Sequence, residues 1–322
     1  MTTDICPQWS EGLDDSPCAS YLKGGLCQLP SSFKCRMYLA EVMPEISYSS
    51  MSDGARCWRA FYYSYISGLQ LIEPSWPIKQ GKYADECLGL LHNKDKNNVI
   101  IFNVFKNERN EEGELPAQYE AMFALFEAYI KLDKHLLKGI PQYEFKWQEE
   151  DYPRIHGYID LMQYDDSEGG RIAWEFKYTG RPDAYDHFSL QEQLSTYFIG
   201  VPFLQRITVR CIQVPQLRMG KNESNQDFHQ RVYNDVLARP KHYFMDTSYW
   251  RSEFDLEQTK FRAKMVAQHA QELVRMGDVK YFIQNIGPSC VMPQPCFYLP
   301  ICESHGVISD TLYKTREKGD TK

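Results

Sequence analysis

Long apolar runs are missing from this sequence. Nowhere in its 322 residues do about 18 consecutive apolar side chains, the length that crosses a bilayer, follow one another. Residues 1–6 have neither the basic nor the apolar region of a signal peptide. We therefore expect no membrane contact and a protein that stays inside the cell, in the cytoplasm.

An excess of basic residues is missing too. Lys and Arg number 36 against 43 Asp and Glu, which gives a formal net charge of -7. Phosphate binding normally depends on clustered Lys and Arg, so this balance argues against a protein that binds a polyanion over its whole surface. A basic strip beside a bound divalent cation remains compatible with it, because the cation offsets acidic charge locally.

Internal repeats are absent, and the composition is that of a globular protein. Hydrophobic residues make up 43% and aromatic residues 14%, enough for a well-packed core. The length exceeds one average domain but not two, so we expect one α/β core with additions.

Cysteine, by contrast, is abundant. The chain has ten, and in a protein that is not secreted the thiols stay reduced. Metal ligation is therefore a better interpretation of them than a disulfide framework.

Apolar periodicity predicts the secondary structure along the chain. Helices are expected over 57–71, 82–92, 118–137, 189–199, 226–237 and 256–276. Strands are expected over 99–102, 143–148, 157–164, 171–178 and 206–214. The centre thus has three consecutive strands with a hairpin turn at 165–170, then a helix and a further strand.

Acidic and basic residues interrupt two of these strands. Asp160 follows Ile159 on one strand, and Glu175 and Lys177 lie on the next. Because strand side chains alternate, Glu175 and Lys177 share a face, and an antiparallel hairpin can bring Asp160 beside them. Two carboxylates are hard oxygen ligands for Mg²⁺ or Mn²⁺, which can activate a water against a phosphate. The lysine could orient or deprotonate that water, or stabilise developing charge.

An isolated Glu-x-Lys is more commonly the solvent-facing edge of a half-exposed hairpin. Here, however, the flanking residues are apolar, among them Leu161, Trp174 and Phe176. These strands are therefore built for burial, and buried acids need a partner or a metal.

In order and spacing, these motifs resemble the PD-(D/E)XK nuclease superfamily, specifically its RecB-like branch. In that branch a Gly-x-x-Asp strand, here Gly157 to Asp160, precedes a Glu-x-Lys strand, and a helix with Gln-x-x-x-Tyr follows. The resemblance implies an α/β fold, a restriction-endonuclease-like core with a mixed central sheet flanked by helices, plus Cys-rich terminal segments.

Gln193 and Tyr197 match the last of these motifs. The resemblance implies that they help hold the DNA strand and the catalytic geometry, as catalytic residues alongside Asp160, Glu175 and Lys177. From the residues alone, a polar helix face and a packed aromatic side chain explain Gln193 and Tyr197 equally well.

The family usually has a further metal ligand, commonly His, on an early helix introduced by Gly. The corresponding stretch here begins at Gly81 and has Asp85 at the expected position. An Asp can bind Mg²⁺, so Asp85 is the predicted ligand, with His92 as its rival on the same helix.

Three late cysteines, Cys290, Cys296 and Cys302, lie in a Pro-rich loop that a metal could order. With Cys57 they resemble the cysteines of AddB-type, CRISPR-associated and phage-encoded iron-sulfur exonucleases. The resemblance implies a 4Fe-4S cluster with a structural role. Zinc in the same thiolates is the alternative.

Four more cysteines occupy the amino-terminal segment: Cys6, Cys18, Cys27 and Cys35. They make a zinc site and four free thiols equally good interpretations. Cys87 and Cys211 fall on apolar faces and are predicted core residues.

Together these features predict a metal-dependent deoxyribonuclease, an exonuclease on single strands or duplex ends. It would act in phage or cellular recombination, replication or repair, in the host cytoplasm if a phage encodes it. DNA is the expected partner, and recombination or replication proteins and self-association stay open. Arg181, His187 and Phe188 are candidate DNA contacts, although an exposed loop residue without a role is the better interpretation of each. The alternative is a catalytically inactive iron-sulfur DNA-binding or assembly protein.

The expected segments are a Cys-rich leader at 1–45, the nuclease domain at 46–305 and a charged tail at 306–322.

Overall fold

The structure is a computed structural model, and the residues it describes are 45–93, 101–133, 137–165, 169–185, 188–276, 278–291 and 295–316. Cys6, Cys18, Cys27 and Cys35 lie outside the described residues, as does His187. The interpretations of the leader and of its zinc site therefore stay predictions.

The described chain alternates helices with short and long strands. The helices are α1 Tyr48–Arg56, α2 Trp58–Phe61, α3 Trp76–Leu91, α4 Ile101–Val104, α5 Ala117–Asp133, α6 Glu192–Gly200, α7 Asn225–Ala238, α8 Pro240–Tyr243, α9 Glu253–Met276 and α10 Leu299–Glu303. The strands are β1 Leu69–Leu71, β2 Ile140–Trp147, β3 Ile155–Asp165, β4 Gly170–Thr179, β5 Leu204–Gln213, β6 Phe244–Tyr249 and β7 Tyr313–Thr315. None of the helices in the described part of the chain combines the length and apolarity that a bilayer crossing needs.

The chain divides into two compact units. One, here called the sheet unit, comprises Ser75–Trp147 and His156–Leu256. The other, the cysteine unit, comprises Met1–Pro74, Gln148–Ile155 and Glu257–Lys322.

A five-stranded sheet in the order β2-β3-β4-β5-β6 forms the centre of the sheet unit. Strands β3 and β4 pair antiparallel, β4 and β5 parallel, and β5 and β6 antiparallel. The parallel pair needs a crossover connection, and α6 lies in that connection. The predicted mixed central sheet flanked by helices is confirmed.

The core of the sheet unit joins one face of this sheet to helices α3, α5 and α7. Phe126 and Tyr129 from α5 and Phe228 from α7 are buried with Leu161 and Phe176 of the sheet. Because side chains alternate along a strand, Glu175 and Lys177, which flank Phe176 on β4, point to the opposite face of the sheet.

The cysteine unit has an aromatic core of its own. Tyr63, Tyr298 and Tyr313 are buried together with Ile301. Strand β7 pairs antiparallel with β1, and Thr315 lies opposite Leu69. The segment predicted as a charged tail from residue 306 therefore contributes a short strand before its end.

Several predicted elements were wrong. The helix predicted at 57–71 is α2 followed by a π-helical turn, Tyr62–Ile66, and then β1. Of the strand predicted at 99–102, residues 101 and 102 lie in helix α4, and 99 and 100 are outside the described residues. Strand β6 was not predicted, since its pairing with β5 rather than its own pattern specifies it.

Candidate functional site

The site is built on the hairpin of β3 and β4. Leu161 lies opposite Trp174 in this antiparallel pair, and continuing the register by one residue brings Asp160 opposite Glu175. Residues directly opposite each other share a face of the sheet. Asp160 also accepts a hydrogen bond through Oδ2 from the backbone N–H of Phe176 at 2.7 Å. The two carboxylates therefore meet on one side of the sheet.

Glu175 is the most constrained member of the site. Its side chain is buried, and Oε1 accepts hydrogen bonds from Lys177 Nζ at 2.5 Å and from Gln193 Nε2 at 2.8 Å. The hydroxyl of Tyr197 donates to Oε2 at 2.6 Å. Gln193 Nε2 in turn donates to the Tyr197 hydroxyl at 2.6 Å. The structure thus brings four of the five predicted catalytic side chains, Glu175, Lys177, Gln193 and Tyr197, together in one network.

Two glycines make room for this network. A Cβ on Gly157 would approach Phe145 Cζ to 2.8 Å, and one on Gly200 would overlap the same ring. The Phe145 ring packs edge-on against Tyr197, with centroids 5.7 Å apart. The glycine of the Gly-x-x-Asp pattern thus lets an aromatic side chain of β2 support the helix residue that binds Glu175.

Lys177 places a positive charge against the carboxylates. Burial lowers the pKa of Lys177, but the charges of Glu175 and Asp160 and the hydrogen bond to Glu175 outweigh burial and raise it above its ordinary value. Its ammonium also lies 5.4 Å from the centroid of the Phe188 ring. The site therefore has one fixed cation beside two acids.

The surroundings of Asp160 disfavour the negative form of its carboxyl. Burial raises the pKa of its carboxyl, and the charges of Glu175 and Asp85 raise it further, against the lowering by Lys177 and the Phe176 amide. Within the described ranges, no three His, Cys, Asp or Glu side chains form a group that could hold a metal ion. Mg²⁺, however, is commonly bound through one or two carboxylates together with waters and substrate phosphates. The donor set of Asp160 and Glu175 fits such an ion.

The two rivals for the helix ligand lie in different surroundings. Asp85 is exposed on α3, and its charge reaches Asp160. His92 is buried beyond the end of α3, with Nδ1 3.0 Å from the carbonyl oxygen of Leu137 and Nε2 3.1 Å from the Tyr129 hydroxyl. Burial lowers the pKa of His92 to about 4. Both of its ring nitrogens have protein partners, so Asp85 is the better placed of the two.

The segment before α6 differs from prediction. Phe188, a candidate DNA contact, is only 1% exposed, which contradicts its interpretation as an exposed loop residue as well as a base contact. Arg181 is exposed, with its guanidinium 3.8 Å from Asp183. Sequence reasoning missed Arg251, whose guanidinium binds the Ser195 side chain and the carbonyl oxygens of Ser189 and Gln191. Nothing in the local sequence marks such a distant contact.

In the cysteine unit, Cys296 and Cys302 each lie within electrostatic reach of other predicted cluster ligands. Burial raises the pKa of Cys302, and the thiols of Cys57 and Cys296 raise it further. Burial likewise raises the pKa of Cys296, as do Cys57 and Cys290. The backbone N–H of Asn285 points at Cys57 Sγ and the Cys290 thiol at the Asn285 carbonyl oxygen, each at 3.5 Å. Among the described residues these thiols do not form a group that could hold a metal ion, and the predicted cluster stays a prediction.

The other two described cysteines behave differently. Cys87 and Cys211 lie in the buried core of the sheet unit, as predicted. All six described cysteines are free thiols.

Comparison with known proteins places the chain in a family. The sequence pattern of the PD-(D/E)XK nuclease superfamily matches residues 45–303. Among solved structures, a phage-related exonuclease from Haemophilus somnus 129PT is similar at 12% sequence identity and a TM-score of 0.34, over 60% of this chain and 95% of that one. No curated protein sequence matches the chain.

Proposed function

The chain belongs to the PD-(D/E)XK nuclease superfamily, and on that premise we propose that it is a metal-dependent deoxyribonuclease that hydrolyses phosphodiester bonds as an exonuclease. The observation that carries the proposal is the meeting of Asp160, Glu175 and Lys177 on one strand pair, with α6 fixing Glu175. A structural ion pair would need only two of these groups, whereas hydrolysis of a phosphodiester uses all three.

In this proposal Asp160 and Glu175 hold Mg²⁺ or Mn²⁺, and Asp85 adds negative charge from the neighbouring helix. The bound ion would polarise the scissile phosphate and lower the pKa of the attacking water. The protein positions this metal ligand: hydrogen bonds from Tyr197 and Gln193 hold the Glu175 carboxylate in one orientation, as partners of metal ligands commonly do.

Lys177 supplies charge in the proposed reaction. Its ammonium donates to Glu175 at 2.5 Å, so it lies beside the metal-binding oxygens. Negative charge that develops on the phosphate oxygens would be stabilised by this fixed cation, which needs no reorganisation during the reaction.

We further propose that the chain belongs to the RecB-like branch and that Cys57, Cys290, Cys296 and Cys302 hold a 4Fe-4S cluster. The contacts of the Asn285 backbone with both Cys57 and Cys290, which lie far apart in the sequence, support the proposal. The cluster would join residues distant in sequence within the cysteine unit, a structural role. Zinc in the same thiolates remains the alternative, and the leader cysteines remain candidates for a separate zinc site.

The proposed setting is DNA recombination, replication or repair, in a phage or in a cell. The family supports DNA as the substrate. The second candidate function is an inactive DNA-binding or assembly protein on the same fold. The observation that favours it is Asp85, which stands where the family commonly has His.

Digestion of end-labelled single-stranded and duplex DNA tests the proposal, with Mg²⁺ or Mn²⁺ and with EDTA. We expect metal-dependent release of nucleotides from the labelled end, reduced at least about a hundredfold in Asp160→Asn. Glu144→Gln, which removes an exposed carboxylate from β2 of the same sheet, is the matched control and should keep activity. A wild-type protein that binds DNA but never degrades it would establish the second function instead.

A further inference from the structure

Arg251, just beyond the end of β6, is hydrogen-bonded to helix α6 and to the segment that leads into it. Its Nη2 donates to the carbonyl oxygens of Ser189 at 2.7 Å and Gln191 at 2.9 Å. Its Nε donates to Ser195 Oγ, on α6, at 2.9 Å, and its Nη1 donates to the carbonyl oxygen of Trp250 at 3.0 Å. All three guanidinium nitrogens thus donate to oxygens of the protein, and all of these residues belong to the sheet unit.

Helix α6 depends on such contacts for its position. It has nine residues, and helices of this length are marginal in water by themselves. Within the described part of the chain, the Gln191 side chain forms no cap on the first turn of the helix. The hydrogen bonds from Arg251 to the Ser189 and Gln191 carbonyls therefore fix the path of the chain into α6.

The same helix carries the two side chains that hold the proposed metal ligand. Gln193 and Tyr197, one turn apart, both donate to the carboxylate of Glu175. Ser195 lies midway between them in the sequence, and side chains two positions apart point to different sides of a helix. Arg251 thus holds α6 on one side, and Glu175 meets the helix on another.

A second contact joins the end of β6 to the site. The Tyr249 ring lies 6.3 Å from the Phe188 ring, and the Lys177 ammonium lies 5.4 Å from the centroid of the Phe188 ring. The residues next to the end of β6 therefore support the segment 188–195 beside both charged groups of β4. That segment approaches Lys177 through Phe188, and it binds Glu175 through Gln193.

We propose that Arg251 is a positioning residue for the proposed metal site. It fixes α6 so that Gln193 and Tyr197 hold Glu175 in the orientation that binds the ion. This inference rests on the proposed nuclease function. Arg251 acts through the helix and not on DNA or the metal, because its guanidinium nitrogens already donate to protein oxygens. A guanidinium suits the role, since its donors form a rigid planar fork that reaches several acceptors at once.

Mn²⁺ binding in the absence of DNA, followed by electron paramagnetic resonance, tests this role apart from cleavage. Arg251→Met keeps a long unbranched side chain but removes the donors, and it should weaken Mn²⁺ binding about tenfold. Arg251→Lys keeps the charge without the planar fork and should recover part of that loss. Ser195→Ala, which removes only the acceptor on α6, is the milder second variant and should weaken Mn²⁺ binding by a smaller factor.

Arg231→Met is the matched control. The Arg231 guanidinium also joins a helix to a loop, because it donates to both carboxylate oxygens of Glu223 and to the carbonyl oxygen of Arg218. Arg231 lies on α7, which packs on the face of the sheet opposite to Glu175. Arg231→Met should therefore bind Mn²⁺ as the wild type does, whatever stability it loses.

Cleavage of single-stranded DNA at varied Mn²⁺ concentration gives a reading that a purely structural role would not change. Arg251→Met should need about tenfold more Mn²⁺ for half-maximal activity, at a temperature where circular dichroism shows it folded. Its affinity for DNA in EDTA should stay within about twofold of the wild type. Weaker DNA binding together with a normal Mn²⁺ requirement would mean that Arg251 contacts phosphate, which overturns the proposal.

The positioning role is also overturned if Arg251→Met and Ser195→Ala bind Mn²⁺ like Arg231→Met. In that case a wild type that cleaves DNA keeps the hydrolysis. Weakened Mn²⁺ binding in Arg251→Met, with a wild type that never cleaves DNA, would refute the hydrolysis and keep the positioning of the metal site. A wild type that neither binds Mn²⁺ nor cleaves DNA would refute both.

Discussion

The hydroxyl of Tyr197 donates a 2.6 Å hydrogen bond to Oε2 of Glu175, from the face of α6 to the middle of β4. Both side chains are buried, so the bond satisfies a carboxylate that would otherwise lack a partner on that oxygen. The same contact leaves the second oxygen to Lys177 and Gln193. A helix residue thus fixes the orientation of a proposed metal ligand.

Tyr197→Phe should therefore affect both stability and activity. We expect a loss of about 1–2 kcal/mol in the free energy of unfolding, because a buried carboxylate loses a donor. Nuclease activity should fall roughly ten- to hundredfold, as for other partners of metal ligands. Chemical denaturation and initial rates of DNA digestion measure the two effects.

Tyr243→Phe is the matched control for that change. Tyr243 is also buried, and its hydroxyl donates to Asp235 Oδ2 at 2.5 Å, on α7. It should lose comparable stability and keep full activity. If Tyr197→Phe kept full activity as well, Tyr197 would be a structural residue only.

Single substitutions of Asp85 and His92, the two candidates for the metal ligand on the helix, should show which is a ligand and which is a core residue. Asp85→Asn should leave stability within about 0.5 kcal/mol and raise the Mg²⁺ or Mn²⁺ concentration for half-maximal activity about tenfold, because Asp85 is exposed and its charge acts on Asp160. His92→Leu should cost about 2–3 kcal/mol, because it removes the His92 partner of the Leu137 carbonyl and one of the partners of the Tyr129 hydroxyl.

Metal titrations at a temperature where both variants remain folded decide between them. Unchanged metal dependence in His92→Leu is expected there. A metal requirement altered in His92→Leu and normal in Asp85→Asn would reverse the two assignments.

Stability should also depend on pH through His229 on α7. Its Nδ1 lies 2.6 Å from Glu120 Oε1 and its Nε2 2.8 Å from Glu127 Oε2, both on α5. Burial lowers the pKa of His229, but the hydrogen bonds to the two carboxylates outweigh it and raise that pKa from 6.5 to about 9. The stabilisation is thus fully present below pH 6.5 and is lost as the pH rises through about 9.

Unfolding curves at several pH values measure this loss. The wild type should lose about 1–2 kcal/mol over that range, after allowance for solvent screening of a partly exposed group. His229→Gln keeps a polar side chain that does not titrate, and it should show a flatter dependence. Parallel curves for the two proteins would mean that His229 contributes nothing to the pH dependence.

Removal of one thiol tests the proposed cluster. Anaerobically purified wild-type protein should be brown and contain iron and acid-labile sulfide, and Cys57→Ser should lose most of both, because a cluster needs its full set of thiolates. Cys87→Ala, a change at a buried core thiol, is the control and should keep them. Zinc in stoichiometric amount without iron, lost in Cys57→Ser, would favour the zinc alternative.

Most strands of the sheet, and the placement of Asp160 and Glu175 on it, could be predicted from the local sequence pattern. Alternation along β4 sets Glu175 and Lys177 on one face and Phe176 on the other, whatever the rest of the chain does. The turn between β3 and β4 spans few residues, so the register of Asp160 against Glu175 is decided within one hairpin. Elements as short as β1 and β7 have too few residues to show a pattern.

Side-chain surroundings were decided by segments distant in the chain. His92 is held by residues 37 and 45 positions away, and Arg251 binds carbonyls 60 and 62 positions away. The sequence by itself determined which residue types alternate on each strand and helix, because those periods arise from the backbone of a few neighbouring residues. Only the tertiary structure decided that Phe188 is buried and Leu190 exposed, because burial depends on which distant segments pack against a loop.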